Sequence, residues 1–249
     1  MSTGQEQICQ QTKTHEVINE AKCEIKAASK PTTGLLDLTF SKIFWLFFIG
    51  SIAGLVIEII FHAVVYGGYQ SRFGLVWGPF SPIYGFGAAL LTLTLNRFWH
   101  SHDVIIFTAA MIVGSLVEYV TSWWMEIFFG AVAWDYTGTF GSLNGRTNFI
   151  FGVMWGLLGL IWVRYMLPVI KEGFSHIDFK SAIVRAITAI LLVFMIINAC
   201  FTVGALGRQS ERANGIPATN CMQEYFDEHF CDEWMEARFE NMTVNGREG

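Results

Sequence analysis

The chain has 249 residues, of which 53% are hydrophobic, 15% aromatic and only 15% charged, with a net charge of −5. An ordinary soluble domain carries roughly 25% charged residues. Here the apolar residues gather in blocks of about the ~20 residues that cross a bilayer as a helix, which excludes a water-soluble fold. The acidic balance gives no case for a nucleic-acid partner.

Residues 1–40 form a polar tail without the basic-then-apolar pattern of a cleavable signal. The first span is therefore expected to target the chain itself. Between Glu16 and Lys30 an apolar stripe (Val17, Ile18, Ala21, Ile25, Ala28) reads either as a short surface helix stopped by Pro31 or as a disordered extension. Five apolar blocks follow, at residues 43–66, 80–98, 104–129, 149–167 and 182–206, with Pro168 expected to end the fourth and residues 169–181 to form a polar connection. The fold class is thus all-α: an integral membrane bundle of about five transmembrane helices over residues 41–206. Residues 207–249 make an acidic tail, in which Met222, Phe226, Phe230 and Trp234 fall four apart behind Asn220 as a helix cap. That spacing predicts one short amphipathic helix packed as a flap on loops or the membrane edge.

Basic residues near the spans set the expected orientation. Lys26, Lys30, Lys42, Arg97, Arg164, Lys171, Lys180 and Arg185 fall on one side and Arg72, Arg146, Arg208 and Arg212 on the other. This predicts a multi-pass cell-membrane protein with its N-terminus inside and its C-terminus outside. With five spans, the 67–79 loop, the 130–148 loop and the C-terminal tail share one side in either orientation.

Three carboxylates lie inside the apolar blocks. An ionised group at mid-bilayer costs several kcal/mol, so such residues face the bundle interior or a wet cavity. At 1.5 Å per residue Glu58 lies about 12 Å below the loop end of its helix, Glu118 about 16 Å and Glu126 about 5 Å. All three occupy the half nearest the two loops, and Glu118 and Glu126, about 80° apart around one helix, fit a shared face. The functional reading is an outer-side cavity suited to proton coupling or cation binding. The alternative is that each carboxylate pairs with Arg72, Arg146 or a tyrosine and merely holds helices together.

The first loop carries Gly78-Pro79 and Ser81-Pro82, which cannot continue a regular helix. It reads as a re-entrant, broken-helix start to the second span or as an interfacial loop anchored by Trp77 and Tyr84. In the second loop Asn144-Gly145 predicts a tight turn. Asp135 with Arg146 predicts an ion pair closing that loop, with Arg146 as a ligand for an anionic headgroup or substrate as the bolder reading. Gly50/Gly54 and Gly152/Gly156/Gly159 mark close helix contacts, and Asn198 is read as a packing hydrogen bonder.

The five cysteines (Cys9, Cys23, Cys200, Cys221, Cys231) include no CxxC pair, and no metal centre or other cofactor is expected. Cys221 and Cys231 either bridge in an oxidising space or stay as two thiols. No Walker A sequence and no GxSxG are present, so nothing supports an enzyme.

The blocks running from Gly78 to Gly85, Trp134-Asp135-Tyr136-Thr137, Asn144-Gly145-Arg146 and Trp155-Gly156-Leu157-Leu158-Gly159, with Glu118 and Glu126 between them, resemble the ABC-transporter type IV (CmpB-like) membrane permease family. The resemblance spans most of residues 43–240 and implies a small permease-like protein. Glu58, Glu118, Glu126, Arg146, Asp135 and Tyr84 are then the candidate substrate- or ion-binding set, with a membrane enzyme or lipid-headgroup binder using the same carboxylates and Arg146 as the alternative. The resemblance further implies a separate ATPase subunit, for which residues 169–181 are the one cytoplasmic docking candidate. Five spans are few for a lone pathway, so a homo-oligomer or a partner subunit is expected.

Overall fold

The computed structural model describes residues 34–129 and 134–240. The apolar stripe between Glu16 and Lys30, Cys9 and Cys23 lie outside them.

Thr39 opens the first helix, α1 (Phe40–His62), its hydroxyl accepting from the Lys42 N–H. A π-helical turn, Ala63–Gly67, ends it. The chain then runs without regular structure to Ser81, and α2 (Pro82–Leu95) begins at a proline, whose fixed φ and missing N–H suit a first helical position. A 3-10 turn, Asn96–Phe98, leads into α3 (Asp103–Phe129). After the second loop Asn148 caps α4 (Phe149–Ile161), accepting from the Phe151 N–H at 2.8 Å.

The fourth helix does not stop at Pro168. A π-helical turn, Trp162–Met166, carries α4 into α5 (Leu167–Ser175), with the Leu167 N–H bonded to the Trp162 carbonyl. The widened turn relieves the clash of the proline ring with the preceding turn. The expected polar connection is therefore largely helix, and the unstructured chain before α6 (Ala182–Ala213) is short. The expected single tail helix is two, α7 (Cys221–His229) and α8 (Asp232–Arg238), broken at Phe230, which leaves helical φ/ψ. Among the described residues Cys200, Cys221 and Cys231 are free and exposed.

Four helical stretches are long and apolar enough to span a membrane: Phe40–Gly67, Asp103–Trp124, Phe149–Ser175 and Ala182–Ala213. The fifth, α2, has 14 residues, about 21 Å of helix against a hydrocarbon core of about 30 Å.

The spans form two antiparallel hairpins of one design. In the first, Gly50 faces Ala88, and Gly85 lies against Ser51 and Phe47. In the second, Gly114 faces Trp155, and Gly152 lies against Ser115 and Met111. Gly50-Ser51 thus matches Gly114-Ser115, and Ile83-Tyr84-Gly85 matches Ile150-Phe151-Gly152. At the end away from the loops a core of Leu46, Leu91, Leu95, Ile106, Ala110, Val163, Leu167 and Phe174 joins the two hairpins. Arg164 locks the same end, donating to the Trp99 and Ser101 carbonyls and pairing with Asp103. Helix α6 packs on the first hairpin, where Trp45 Nε1 donates to Thr188 at 3.0 Å.

Candidate functional site

The irregular segment of the first loop is docked against the middle of α6. The Trp77 N–H donates to Asn198 Oδ1 (3.1 Å), and Asn198 Nδ2 donates back to the Trp77 carbonyl (2.8 Å). The Val76 N–H donates to the Thr202 hydroxyl at 3.0 Å. Asn198 is fully buried and lies about 12 Å along the helix from Leu206, the end of the apolar block. Side chains of α6 therefore satisfy backbone groups that hydrocarbon would leave unpaired. Gly78, at φ +71, provides the left-handed bend that turns the chain back toward Pro79. Leu75, Phe80 and Met195 seal the contact. Trp77 packs on Phe201 and Phe230, and the irregular segment leads directly into α2 at Pro82.

Beside this loop Arg72 reaches Glu58 at 3.7 Å. The Tyr84 ring fills the space left by Gly54, and its hydroxyl is a hydrogen-bonding and electrostatic neighbour of Glu58. Glu58, Arg72 and Tyr84 thus form one cluster at the mouth of the first hairpin.

The second hairpin holds a different arrangement. Glu118 is buried, at 9% exposure. Its Oε1 accepts from the Tyr136 hydroxyl (3.0 Å) and its Oε2 from the Thr147 hydroxyl (2.8 Å). Tyr136 stacks on Phe151 at 4.6 Å, and its N–H donates to the Gly145 carbonyl, so the loop folds back along α3 to reach the acid. Burial and the neighbouring Glu118 charge push the Tyr136 phenol upward, which keeps it a donor. Asn144 and Gly145 both take positive φ (53° and 72°) and close a tight turn between Leu143 and Arg146.

Arg146 does not pair with Asp135. Its guanidinium bonds Glu126 on α3 and lies over the Tyr119 ring at 5.6 Å, while its carbonyl accepts from Trp134 Nε1 at 2.8 Å. Asp135 is already engaged, accepting from the Thr137 N–H (2.8 Å) and hydroxyl (2.5 Å) in a local turn. Those donors hold the Asp135 carboxyl below the usual carboxylate range. The six candidate residues therefore fall into two separate groups: Glu58 with Tyr84, and Glu118, Glu126, Arg146 and Asp135 around the second loop. Among the described residues no hydrogen bond or ion pair joins Glu58 to Glu118 or Glu126: Glu58 lies with Arg72 and Tyr84, and Glu118 with Tyr136 and Thr147.

The tail helices clamp the first loop from above. Val76, Ala205, Phe226, Phe230, Met235 and Phe239 form one core. Arg238 donates to the Leu75 and Gly78 carbonyls and lies over Phe73 at 3.7 Å, and Ser71 bonds Glu240 and the Arg238 carbonyl. Arg208, 3% exposed, pairs with Asp227 and Glu211, and Arg212 pairs with Asp227 and Asp232. Hydrogen bonds from Arg208, then from Arg212, pull the Asp227 pKa down to about 2. A depressed carboxylate contributes stability that is complete above its unfolded value, near 4, and is lost as pH falls through the folded one. The flap is expected to resist pepsin at pH 4 and to become cleavable between about pH 4 and 2, earlier in Asp227→Asn; an unchanged pepsin profile in that variant refutes the assignment.

Thr147, Thr202 and Arg238 escaped the sequence reading, and Arg208 entered it only as a basic residue that sets orientation. A threonine just ahead of a helix cap and arginines in polar stretches carry no local sign of their partners.

These features define an all-α, multi-pass membrane protein built on two hairpins, one of them opened by an irregular segment pinned inside the bundle. Residues 45–203 match the family ABC_trans_CmpB, described as "Putative ABC-transporter type IV", and the chain belongs to that family. The match covers both hairpins and α6 as far as Val203 and ends ahead of the flap. No curated protein and no solved structure matches the chain. The family assigns it a transport-related role in the membrane.

Proposed function

We propose that the chain is a permease-like subunit of a membrane transport system, with its transport determinants in the loop-side half of the bundle. The observation that carries this reading is the Val76–Trp77 backbone, held against the middle of α6 by Asn198 and Thr202. Non-helical backbone at membrane depth is tolerated where it is buried in protein or lines a water-filled path, and broken helices of this kind carry the binding sites of many transporters. Glu58 with Tyr84 and Glu118 with Tyr136 then serve as two acid–phenol sites flanking the path. Arg146, Glu126 and Asp135 shape the second loop.

The loop side faces outward and the N-terminus inward in this reading. If the system is ABC-type, a separate nucleotide-binding subunit supplies the energy, docking at the end opposite the loops. Single cysteines at the exposed positions 78 and 79, on a background without native cysteines, are expected to react in intact cells with a membrane-impermeant maleimide. A cysteine at the exposed position 193 of α6 serves as the lipid-facing control. Reaction at 78 and 79 no faster than at 193 would sink the permeation reading. Purification of the full chain from native membranes tests the ATPase: recovery of no nucleotide-binding subunit points to an ion gradient as the energy source.

A further inference from the structure

Three intramembrane acids share two arginines. Arg72 reaches Glu58, and Arg146 bonds Glu126. Glu118, the deepest of the three, receives only hydroxyls, from Tyr136 and Thr147. Among the described residues no basic side chain contacts it. An ionised carboxylate buried without a countercharge costs several kcal/mol, so this site needs one positive charge from elsewhere. One charge suffices, because a single carboxylate carries a single negative charge.

The site's oxygens suit such a charge. Two carboxylate oxygens, a phenol and a threonine hydroxyl converge, and hydroxyls can donate to a bare carboxylate or turn their lone pairs to a cation. Ser122, 3% exposed and one turn beyond Glu118 on the same face, is a further hydroxyl close by. The charged and titratable groups on the surrounding elements are otherwise committed or remote. Tyr119 lies under Arg146 and accepts from Asn144; Glu126 and Arg146 pair; Asp135 is bonded by Thr137. Helix α4 has no titratable residue from Phe149 to Ile161, and the one on α2, Tyr84, neighbours Glu58.

We propose that Glu118, Tyr136 and Thr147 form a site for one exchangeable monovalent cation, either a proton or a sodium ion. In the first hairpin Arg72 supplies the acid's countercharge from within the chain, whereas in the second the covering charge comes and goes. The site's role in coupling rests on the transport reading; its occupancy does not.

The test is infrared difference spectroscopy on the purified full-length protein, titrated with acid and with sodium chloride against choline chloride. A carboxylic-acid carbonyl band should appear on acidification in choline and be missing from Glu118→Gln, whose amide oxygen can still accept both hydroxyl bonds. Loss of that band on adding sodium at constant pH identifies a sodium site; indifference to sodium identifies a proton site. Thr147→Val keeps the acid and removes one donor, so it should shift the midpoint by about tenfold in ligand concentration, the effect of one hydrogen bond to a charged group. No band at any pH, and no sodium response that Glu118→Gln or Thr147→Val alters, overturns the proposal. Infrared titration without maleimide access at 78 and 79 would remove the transport reading and leave the site; the reverse result would remove the site alone.

Discussion

Replacing Asn198 with leucine is expected to destabilise the protein more than any other single change on α6. The substitution is close in volume and suits a membrane helix, so hydropathy predicts a neutral or favourable effect. The amide, however, bonds both the N–H and the carbonyl of Trp77 inside the bundle. Leucine leaves both unpaired, and each buried orphan costs about 1–3 kcal/mol, for a total of about 2–6 kcal/mol. Thermal unfolding in detergent should show a large drop in Tm, with cysteines at 75–78 reacting faster because the loop has lifted. Thr202→Val removes one bond, to the Val76 N–H, and should lose about half as much. Equal stability of Asn198→Leu and wild type would mean that the loop does not dock where Asn198 meets it.

Alanine should divide the two hairpins sharply at matching positions. A methyl group at Gly85 would overlap the Ser51 hydroxyl and the Phe47 carbonyl, and the latter is backbone that cannot turn aside. At Gly152 the same methyl would meet Ser115 Oγ at 3.1 Å and the end of Met111 at 3.2 Å, both able to move. Gly85→Ala must therefore part α1 from α2, at the upper end of the about 1–3 kcal/mol typical of overpacking or beyond it. Gly152→Ala is expected to change Tm by much less and to leave folding yield near that of wild type. Fluorescence-detected size exclusion and thermal melts of the two variants, side by side, read this directly. Comparable loss at both sites would refute the difference in packing between the hairpins.

Much of the architecture was legible because bilayer physics is coarse. Five apolar blocks gave the helices, Gly78-Pro79 and Ser81-Pro82 gave the irregular chain ahead of α2, and Asn144-Gly145 gave the turn. What escaped depends on partners distant in sequence. Arg146 was assigned to Asp135 because both lie in one loop, yet Thr137 takes that carboxylate and Glu126 waits on α3. Asn198 was visible as a polar residue in an apolar helix, but its bond to a specific peptide required the loop to be folded first. Pro168 was read as a stop because a local rule cannot anticipate a widened turn. The fourfold spacing through Phe230 suggested one helix, while in the fold Phe230 is buried, with its carbonyl spent on Arg212. The matching hairpins went unnoticed because their shared signature is only Gly-Ser followed much later by Ile-aromatic-Gly, across segments of unequal length.

The π-helical turn ahead of Pro168 also sets the angular phase of everything after it. One extra residue in a turn advances the following helix by about 100° relative to an uninterrupted one. The stripe of Gly152, Gly156 and Gly159 that abuts α3 and the pair Leu167 and Phe174 that enters the joint core are thus aimed independently, although they share one continuous rod. A single span can in this way serve two neighbours that do not lie on one line.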